Sequence, residues 1–289
     1  MRKHKILIII LFSIITSCSN RAQINNQNTD LKKLHLHGKV KSVKEYVVKN
    51  NKKQISREKL FNKDGNLLKE IYYNNGKYSF KISYQYNKNQ MLIKKTFESE
   101  HQYSQETYRY NSNNKLTETV ITYRDNTKDY FVYKYNKDGL LAEKLLKKGD
   151  KNNGKTVYKY KNKELMQEIN FNDEGLLISS KTYKKQDSTN FSVITKIRDD
   201  IKYKFTKKKD TIIMWKKAFS SIPEIIVKVY DKNHYIISEK TYKSKKLIKE
   251  QSFQYELDHQ GNWTKKFIVS DNKTQYYIQR DILYYIIKE

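Results

Sequence analysis

Apolar and polar residues alternate along most of the chain with a period of two. The alternation is broken at regular intervals by Asn, Asp and Gly. The stretch Tyr133 to Lys144, Y-K-Y-N-K-D-G-L-L-A-E-K, shows the unit. Tyr133 and Tyr135 stand two apart and so share one face of a strand. Asn136-Lys137-Asp138-Gly139 carries residues that tolerate turn geometry, with Gly139 free to take a positive φ. Leu140 and Leu141 then open a returning strand. The pattern predicts strand, tight turn, strand.

Copies of this unit fill the chain. Phe61, Tyr86, Tyr110, Tyr135 and Tyr160 each stand before a polar turn, at spacings of 25, 24, 25 and 25 residues. Phe171 then follows after only 11, so that one strand joins two turns. A weaker copy sits at Phe205, and Tyr230 and Tyr255 resume the 25-residue step. The stretch 179–221 is the least regular, an insertion or a degraded repeat. Each unit has room for two strands and two connections. In Thr107-Tyr108-Arg109-Tyr110 and Val157-Tyr158-Lys159-Tyr160 the tyrosines take one face and the basic residues the other. That alternation predicts one apolar and one wetted face. The expected fold is all-β: a repeat array of antiparallel β-hairpins over residues 31–289, forming one long twisted or curled meander sheet. A single sheet cannot bury its apolar face alone, so the array must curl or be covered. Hairpins that touch only their sequence neighbours make a solenoid-like object.

The first residues follow a different pattern. Met1-Arg2-Lys3-His4-Lys5 is basic, and residues 6–15 are apolar apart from Ser13. This reads as a secretory signal peptide over 1–17; the apolar run is too short to span a bilayer, which needs about 20 residues. Cys18 is the sole cysteine, so no intramolecular disulfide is available to it. Ile15-Thr16-Ser17-Cys18 resembles the bacterial lipobox. That resemblance implies cleavage before Cys18 and lipidation of its sulfur and amino group. Several acyl chains on one residue give stable anchoring where one chain does not. Residues 18–30 then form the lipidated N-terminus and a polar tether. Neither an Asp after Cys18 nor an acidic cluster is present. The expectation is an outer-membrane lipoprotein facing the periplasm, with surface display left open.

Composition changes the picture in two ways. Hydrophobic residues are 37% of the 289, which argues against one thick core, whereas 25 tyrosines suit a pleated, half-exposed surface. Lys and Arg number 59 against 31 Asp and Glu, a formal charge of +28. Such a charge attracts nucleic acid, anionic lipid or acidic polysaccharide. The lysines are spread over nearly every segment, however. Joint enrichment of Lys, Asn, Ile and Tyr is the plain signature of an AT-rich coding sequence. Export makes nucleic acid an implausible partner.

The corner motifs Y-x-Y-N-x-D-G-L-L and Y-E-L-D-x-x-G-N-W-T resemble the YD repeats of RHS-type proteins. The resemblance runs from about Leu60 to Lys266. Leu36-His37-Gly38-Lys39-Val40-Lys41-Ser42-Val43 is similar to the opening of small YD-repeat lipoproteins common in Bacteroidota. Gly261-Asn262-Trp263-Thr264 and Arg280-Asp281-Ile282-Leu283-Tyr284-Tyr285 are similar to their end. Most units carry Asn where the family has Asp, and several lack the Gly. Large RHS proteins enclose a toxin domain; this chain is too short for that shell, and toxin delivery is not expected of it. Carbohydrate binding is what the resemblance implies. Eight glycines are too few for the rival MORN-type hairpin repeat.

Candidate chemistry is sparse. His35 and His37 stand two apart and could face one metal, but nothing nearby completes the roughly four ligands of a structural site. His234 and His259 fall in turns. The acids Asp64, Asp138, Asp173, Asp231 and Asp258 recur where turn chemistry requires them. Asp199-Asp200 is a loop pair without a partner motif. No nucleophile elbow, phosphate loop or dinucleotide fingerprint is present. Trp215 and Trp263 are the candidates for stacking on sugar rings; the plainer reading packs them in a thin sheet. No catalytic residue, metal or cofactor is assigned. The expected protein is a lipid-anchored, non-enzymatic binding or scaffolding surface of the cell envelope, its partner a polysaccharide or another envelope protein. The alternatives are a polysaccharide-binding accessory of a glycan-uptake system and an envelope glycan hydrolase.

Overall fold

A computed structural model describes residues 29–185, 187, 190–197, 200–217, 222–270 and 273–286, with backbone alone at 200–202. The signal peptide, Cys18 and the tether up to residue 28 lie outside the described residues. Among the described residues one short helix, α1 (Asp30–Lys33), precedes twenty strands. The first ten are β1 (Val40–Lys49), β2 (Lys52–Phe61), β3 (Leu67–Asn74), β4 (Lys77–Tyr86), β5 (Leu92–Ser99), β6 (Tyr103–Tyr110), β7 (Leu116–Tyr123), β8 (Lys128–Tyr135), β9 (Leu141–Lys148) and β10 (Lys151–Lys161). The rest are β11 (Glu164–Phe171), β12 (Leu177–Lys185), β13 (Phe191–Ile197), β14 (Asp200–Lys208), β15 (Thr211–Lys216), β16 (Glu224–Tyr230), β17 (Ile236–Lys243), β18 (Lys246–Leu257), β19 (Trp263–Ser270) and β20 (Lys273–Tyr284).

Every strand pairs antiparallel with its sequence neighbours, and β1 also pairs with β20, from Val40 opposite Tyr284 to Val48 opposite Tyr277. The sheet is therefore a closed barrel. This corrects the open twisted or curled meander that the repeat pattern suggested: among the described residues the sheet has no first or last edge, and its first and last strands are bonded to each other. Closure removes the row of unpaired backbone groups that an open array would present at each end. The described part of 179–221 continues the same sheet through β12 to β15.

Two kinds of corner turn the chain. Wide corners begin on Asn or Asp, whose side-chain oxygen accepts backbone N–H groups from inside the same loop. Asn87 Oδ1 takes Asn89 and Met91, and Asp231 Oδ1 takes Asn233 and Tyr235. The fourth loop residue is left-handed: Gly65, Gly139, Gly175 and Gly261, but also Gln90, Asn114 and His234. Asn and His at this slot tolerate a positive φ better than most side chains, so the missing glycines do not break the repeat. Tight corners use two positive-φ residues, Asn50-Asn51, Asn75-Gly76 and Ser244-Lys245, as two-residue hairpins require.

The wide corners at 62–66, 87–91, 111–115, 136–140, 231–235 and 258–262 share one rim, here the near rim, because each follows an even-numbered strand. The corner at 172–176 follows β11 and sits on the far rim. The 11-residue step before Phe171 is this inversion. It puts one repeat corner at the opposite end of the barrel.

Near-rim tyrosines lock adjacent strands. The hydroxyls of Tyr86, Tyr110, Tyr135, Tyr160 and Tyr255 donate to the carbonyls of Leu67, Leu92, Leu116, Leu141 and Ile236, at 2.7–2.9 Å. Each acceptor opens the preceding strand, 18 or 19 residues back. The 25-residue step of the sequence is the step of this ladder.

Candidate functional site: the lumen belt and its strap

Residues 29–38 cross the near rim as a strap. Thr29 caps α1, accepting the Lys32 N–H. Leu31 N–H donates to Gly65 O at 3.0 Å, and Asp30 Oδ2 accepts from Leu67 N–H and the Tyr86 hydroxyl. Five residues on, the His35 ring lies 5.0 Å from that of His234, in the corner between β16 and β17. Along the wall, β4 and β17 are seven strand spacings apart, about 34 Å. The same five residues, mostly helical, advance about 8 Å. Only a chord on the concave side can join those points, so the face the strap packs on is the lumen face. Leu31 and Leu36 bury there against Val40, Val43, Phe61 and Leu67. Asn262, fully buried, holds the strap's end: its Oδ1 accepts His37 N–H at 2.7 Å and its Nδ2 donates to His37 O and the Tyr284 hydroxyl, both at 2.8 Å. At Gly38 (φ +76) an added Cβ would meet Gln260 and the Tyr284 ring within about 3.2 Å.

Following the register round from the strap assigns every strand residue to a face. The tyrosines before the near-rim corners all point into the lumen. So do many charges. On strands that leave the near rim, the residue three after the first inward position (Leu67, Leu92, Leu116, Leu141, Leu165, Ile236 and Trp263) also points inward, giving Glu70, Lys95, Thr119, Lys144, Glu168, Glu239 and Lys266, because the bulge there shifts the alternation by one. These positions form a charged belt at mid-height, between aromatic bands. Four ion pairs close within it or beside it: Lys95–Glu106 at 2.9 Å, Lys181–Glu168 at 3.4 Å, Lys228–Glu239 at 3.0 Å and Arg280–Glu45 at 2.7 Å. Tyr72, Tyr108 and Tyr183 donate to Glu70, Glu106 and Glu168. Other belt cations lie over ring faces: Lys144 over Phe131 at 4.0 Å, Lys266 over Phe253 at 4.3 Å and Arg57 over Tyr72 at 4.5 Å. Ring quadrupoles attract such cations most when both are shielded from water.

The belt is densest at the seam. Arg280 from β20 and Glu45 from β1 are directly paired, each side chain only 14% exposed, and Arg280 Nε and Nη2 both donate to Glu45 Oε1. Burial pushes the Glu45 carboxyl up, but Arg280 and Lys59 outweigh it and hold the group below the usual carboxylate range. Burial lowers Lys59 and Lys266. Tyr110 is pushed up to about 12 by burial, and most rung tyrosines move the same way, which keeps their hydroxyls as donors.

The sequence candidates do not assemble into one site. Trp215 faces outward, with Lys204 over its ring at 5.5 Å. Trp263 faces the lumen, where the Arg280 guanidinium covers its ring at 3.4 Å and Tyr255 meets its edge. The two therefore cannot serve one stacking platform. His35 meets His234 rather than His37, and among the described residues no group of three His, Cys, Asp or Glu is placed to hold a metal. The corner acids Asp231 and Asp258 are spent on backbone N–H groups, as turn chemistry required. Asp199 lies outside the described residues. The belt itself was within reach of the sequence. It recurs three residues after the Leu, Ile or Trp that follows a near-rim corner, but an unbroken alternation placed those side chains on the wet face.

Burial lowers the His35 pKa, as do His234, His37 and Lys207. The docked strap thus holds His35 neutral, and just below pH 6.5 the folded chain binds fewer protons than the unfolded one. Strap docking is expected to be complete above pH 6.5 and to weaken as the pH falls below it. Methyl NMR shifts of Leu31 and Leu36 between pH 8 and pH 5 check this; H35Q should flatten the titration, and an unchanged curve would count against it.

No protein-family model matches the sequence, and no curated protein is significantly similar to it. Among solved structures, a porin-like protein from Bacteroides uniformis is similar over 86% of this chain and 96% of its own, with 12% identity and a TM-score of 0.37. A TcdB2–TccC3–Cdc42 structure is similar over 76% of this chain, also at 12% identity, with a TM-score of 0.25. The match spans only 16% of that second chain. Likenesses at this level bear on neither function nor partners.

Proposed function

We propose that the chain is a lipid-anchored barrel of the cell envelope that acts as a rigid, non-enzymatic binding or scaffolding surface. The observation that carries this reading is the charge on both faces of the wall. The lumen holds the belt. The outer face holds Lys81 at mid-strand and Lys69, Lys94, Glu118, Lys134 and Glu143 nearer the near rim, joined in pairs such as Lys81–Glu98 at 3.0 Å and Lys134–Glu143 at 2.8 Å. A bilayer-spanning barrel needs an outward apolar band about 25 Å tall, and a basic residue at its midplane costs about 2–4 kcal/mol. Among the described residues neither face offers an unbroken band of this kind, which supports attachment through Cys18 and a tether that joins the fold on the near rim at Thr29. The belt carboxylates are occupied by basic or tyrosine partners rather than presented as an acid–base pair in a cleft. Two clefts among the described residues, of about 330 and 340 Å³, are lined by strap and corner residues in one case and by Tyr103, Tyr123 and Arg124 in the other.

Cys18→Ser is the test. The variant is expected to leave the membrane fraction and appear in the soluble envelope fraction, with unchanged thermal unfolding. Retention of the variant in membranes would defeat the anchored reading.

A further inference from the structure

We infer that the outer wall over β11 to β17 is a docking surface for an acidic protein, a reading that rests on the anchored barrel proposed above. Three observations meet there. The first is apolarity. On the outer face, Ile194, Ile213, Trp215, Ile225, Val227 and Val229 form a half-exposed field across β13 to β16. The facing wall at β4 to β7 presents Lys81, Lys94, Thr96, Gln105 and Glu118 in the corresponding places. The same register also turns Val120, Val132, Leu145, Val157 and Ile169 outward, so the field is the part of a partly apolar outer wall that adjoins the exposed crest at 176–178, and exposed contiguous apolar area marks an interaction site.

The second is the inverted corner at 172–176. At near-rim corners the residue opening the returning strand is covered by the tyrosine of the next strand pair, whose hydroxyl bonds its carbonyl. Leu177 holds the same position at the far rim, paired with Phe171 on the outer face. Leu176, Leu177 and Ile178 are 61%, 42% and 46% exposed, a crest at the far-rim margin of the same field.

The third is charge. By the register, the outer face of β12 to β16 carries Lys184, Lys196, Lys204 and Lys208 and, among the described strand residues, no acid. Lys196 and Lys204 stand on the outer face within the field. An apolar centre with a basic surround fits an acidic partner and opposes a second copy of this cationic chain. The crest also stands on the far rim, while the tether leaves from the near rim. The crest thus lies at the opposite end of the barrel from Thr29, where the proposed tether joins, and that separation favours a protein over the anchoring lipid.

The test is site-specific photo-cross-linking in cells making the full lipidated chain. p-Benzoylphenylalanine is placed at Trp215, at Leu177 or at Gln105 of the facing wall, and adducts are identified by mass spectrometry. The expected result is an adduct with an acidic protein from both Trp215 and Leu177, absent from Gln105. In a K196E/K204E background it should fall by about tenfold, as loss of complementary charge predicts. Equal adducts from Gln105, none from Trp215 and Leu177, adducts with a second copy or with lipid, or indifference to the charge reversal would each overturn the proposal. Unchanged melting of each variant shows that the fold survives. Failure of the anchored reading would show separately, as wild-type chain in the soluble fraction.

Discussion

Arg280→Met is expected to destabilise the barrel by about 3–5 kcal/mol, because it strands Glu45 as a buried, unpaired carboxylate. Glu45→Met should cost a similar amount by stranding Arg280. The double variant should recover most of the loss, since replacing both members of a buried pair with apolar groups is often close to neutral. Urea unfolding of the three variants checks this. The pH dependence has a definite sign. The Glu45 pKa is lowered in the folded state, so its contribution is present above the unfolded value of 4.5 and is lost as the pH falls through the folded value. Arg280→Met should remove that acid limb. A wild-type-like stability for the single variant would mean that the pair does not hold the seam.

Phe61→Ala is the second large effect. Phe61 is fully buried, at 0% exposure, at the end of β2, and it anchors the cluster of Leu31, Leu36, Val40, Val43 and Leu67 under the strap. Truncation of such a side chain costs about 3–5 kcal/mol. The barrel has few fully buried positions, and most of them lie in this cluster, so the strap should undock before the wall unfolds. Limited proteolysis at Lys32 and Lys33, compared with global unfolding, separates the two events. Equal losses in both would show that strap and wall are one cooperative unit.

The strand-and-corner grammar was legible because it is local. Asn136 to Gly139 turns as its residue types require, and Tyr135 stands at the near rim with its repeats. The tyrosine rungs were half legible: the 25-residue step was visible, but not that each hydroxyl reaches back 18 or 19 residues to a neighbour's carbonyl. Tyr255 shows the reason. Its rung to Ile236 is intact although its own corner begins at Asp258, so the ladder is set by the preceding strand and not by the following turn. The belt was hidden by one extra residue per hairpin. The bulge beside Leu67 puts Lys69 outside and Glu70 inside, where strict alternation from Leu67 reverses them. Closure was hidden because alternation is blind to how many strands complete a circuit. The residues that close this one, Glu45 and Arg280, are 235 positions apart and belong to no repeat. The strap was read as the start of the array, although Leu31, Leu36 and Asn262 meet only once the wall has curved.

Closure of β20 onto β1 is the claim on which lumen, belt and strap all depend, and disulfide trapping tests it directly. In a C18S background, K44C/D281C places two thiols on outward-facing partners across the seam, and K81C/E98C places two across the ordinary β4–β5 pair. Directly opposed antiparallel residues have Cα atoms about 4.5–5.5 Å apart, within disulfide range. The closed barrel predicts that both pairs cross-link on mild oxidation, at comparable rates and in monomeric protein. Trapping of the β4–β5 pair while the thiols at 44 and 281 stay free would show an open sheet and contradict the account.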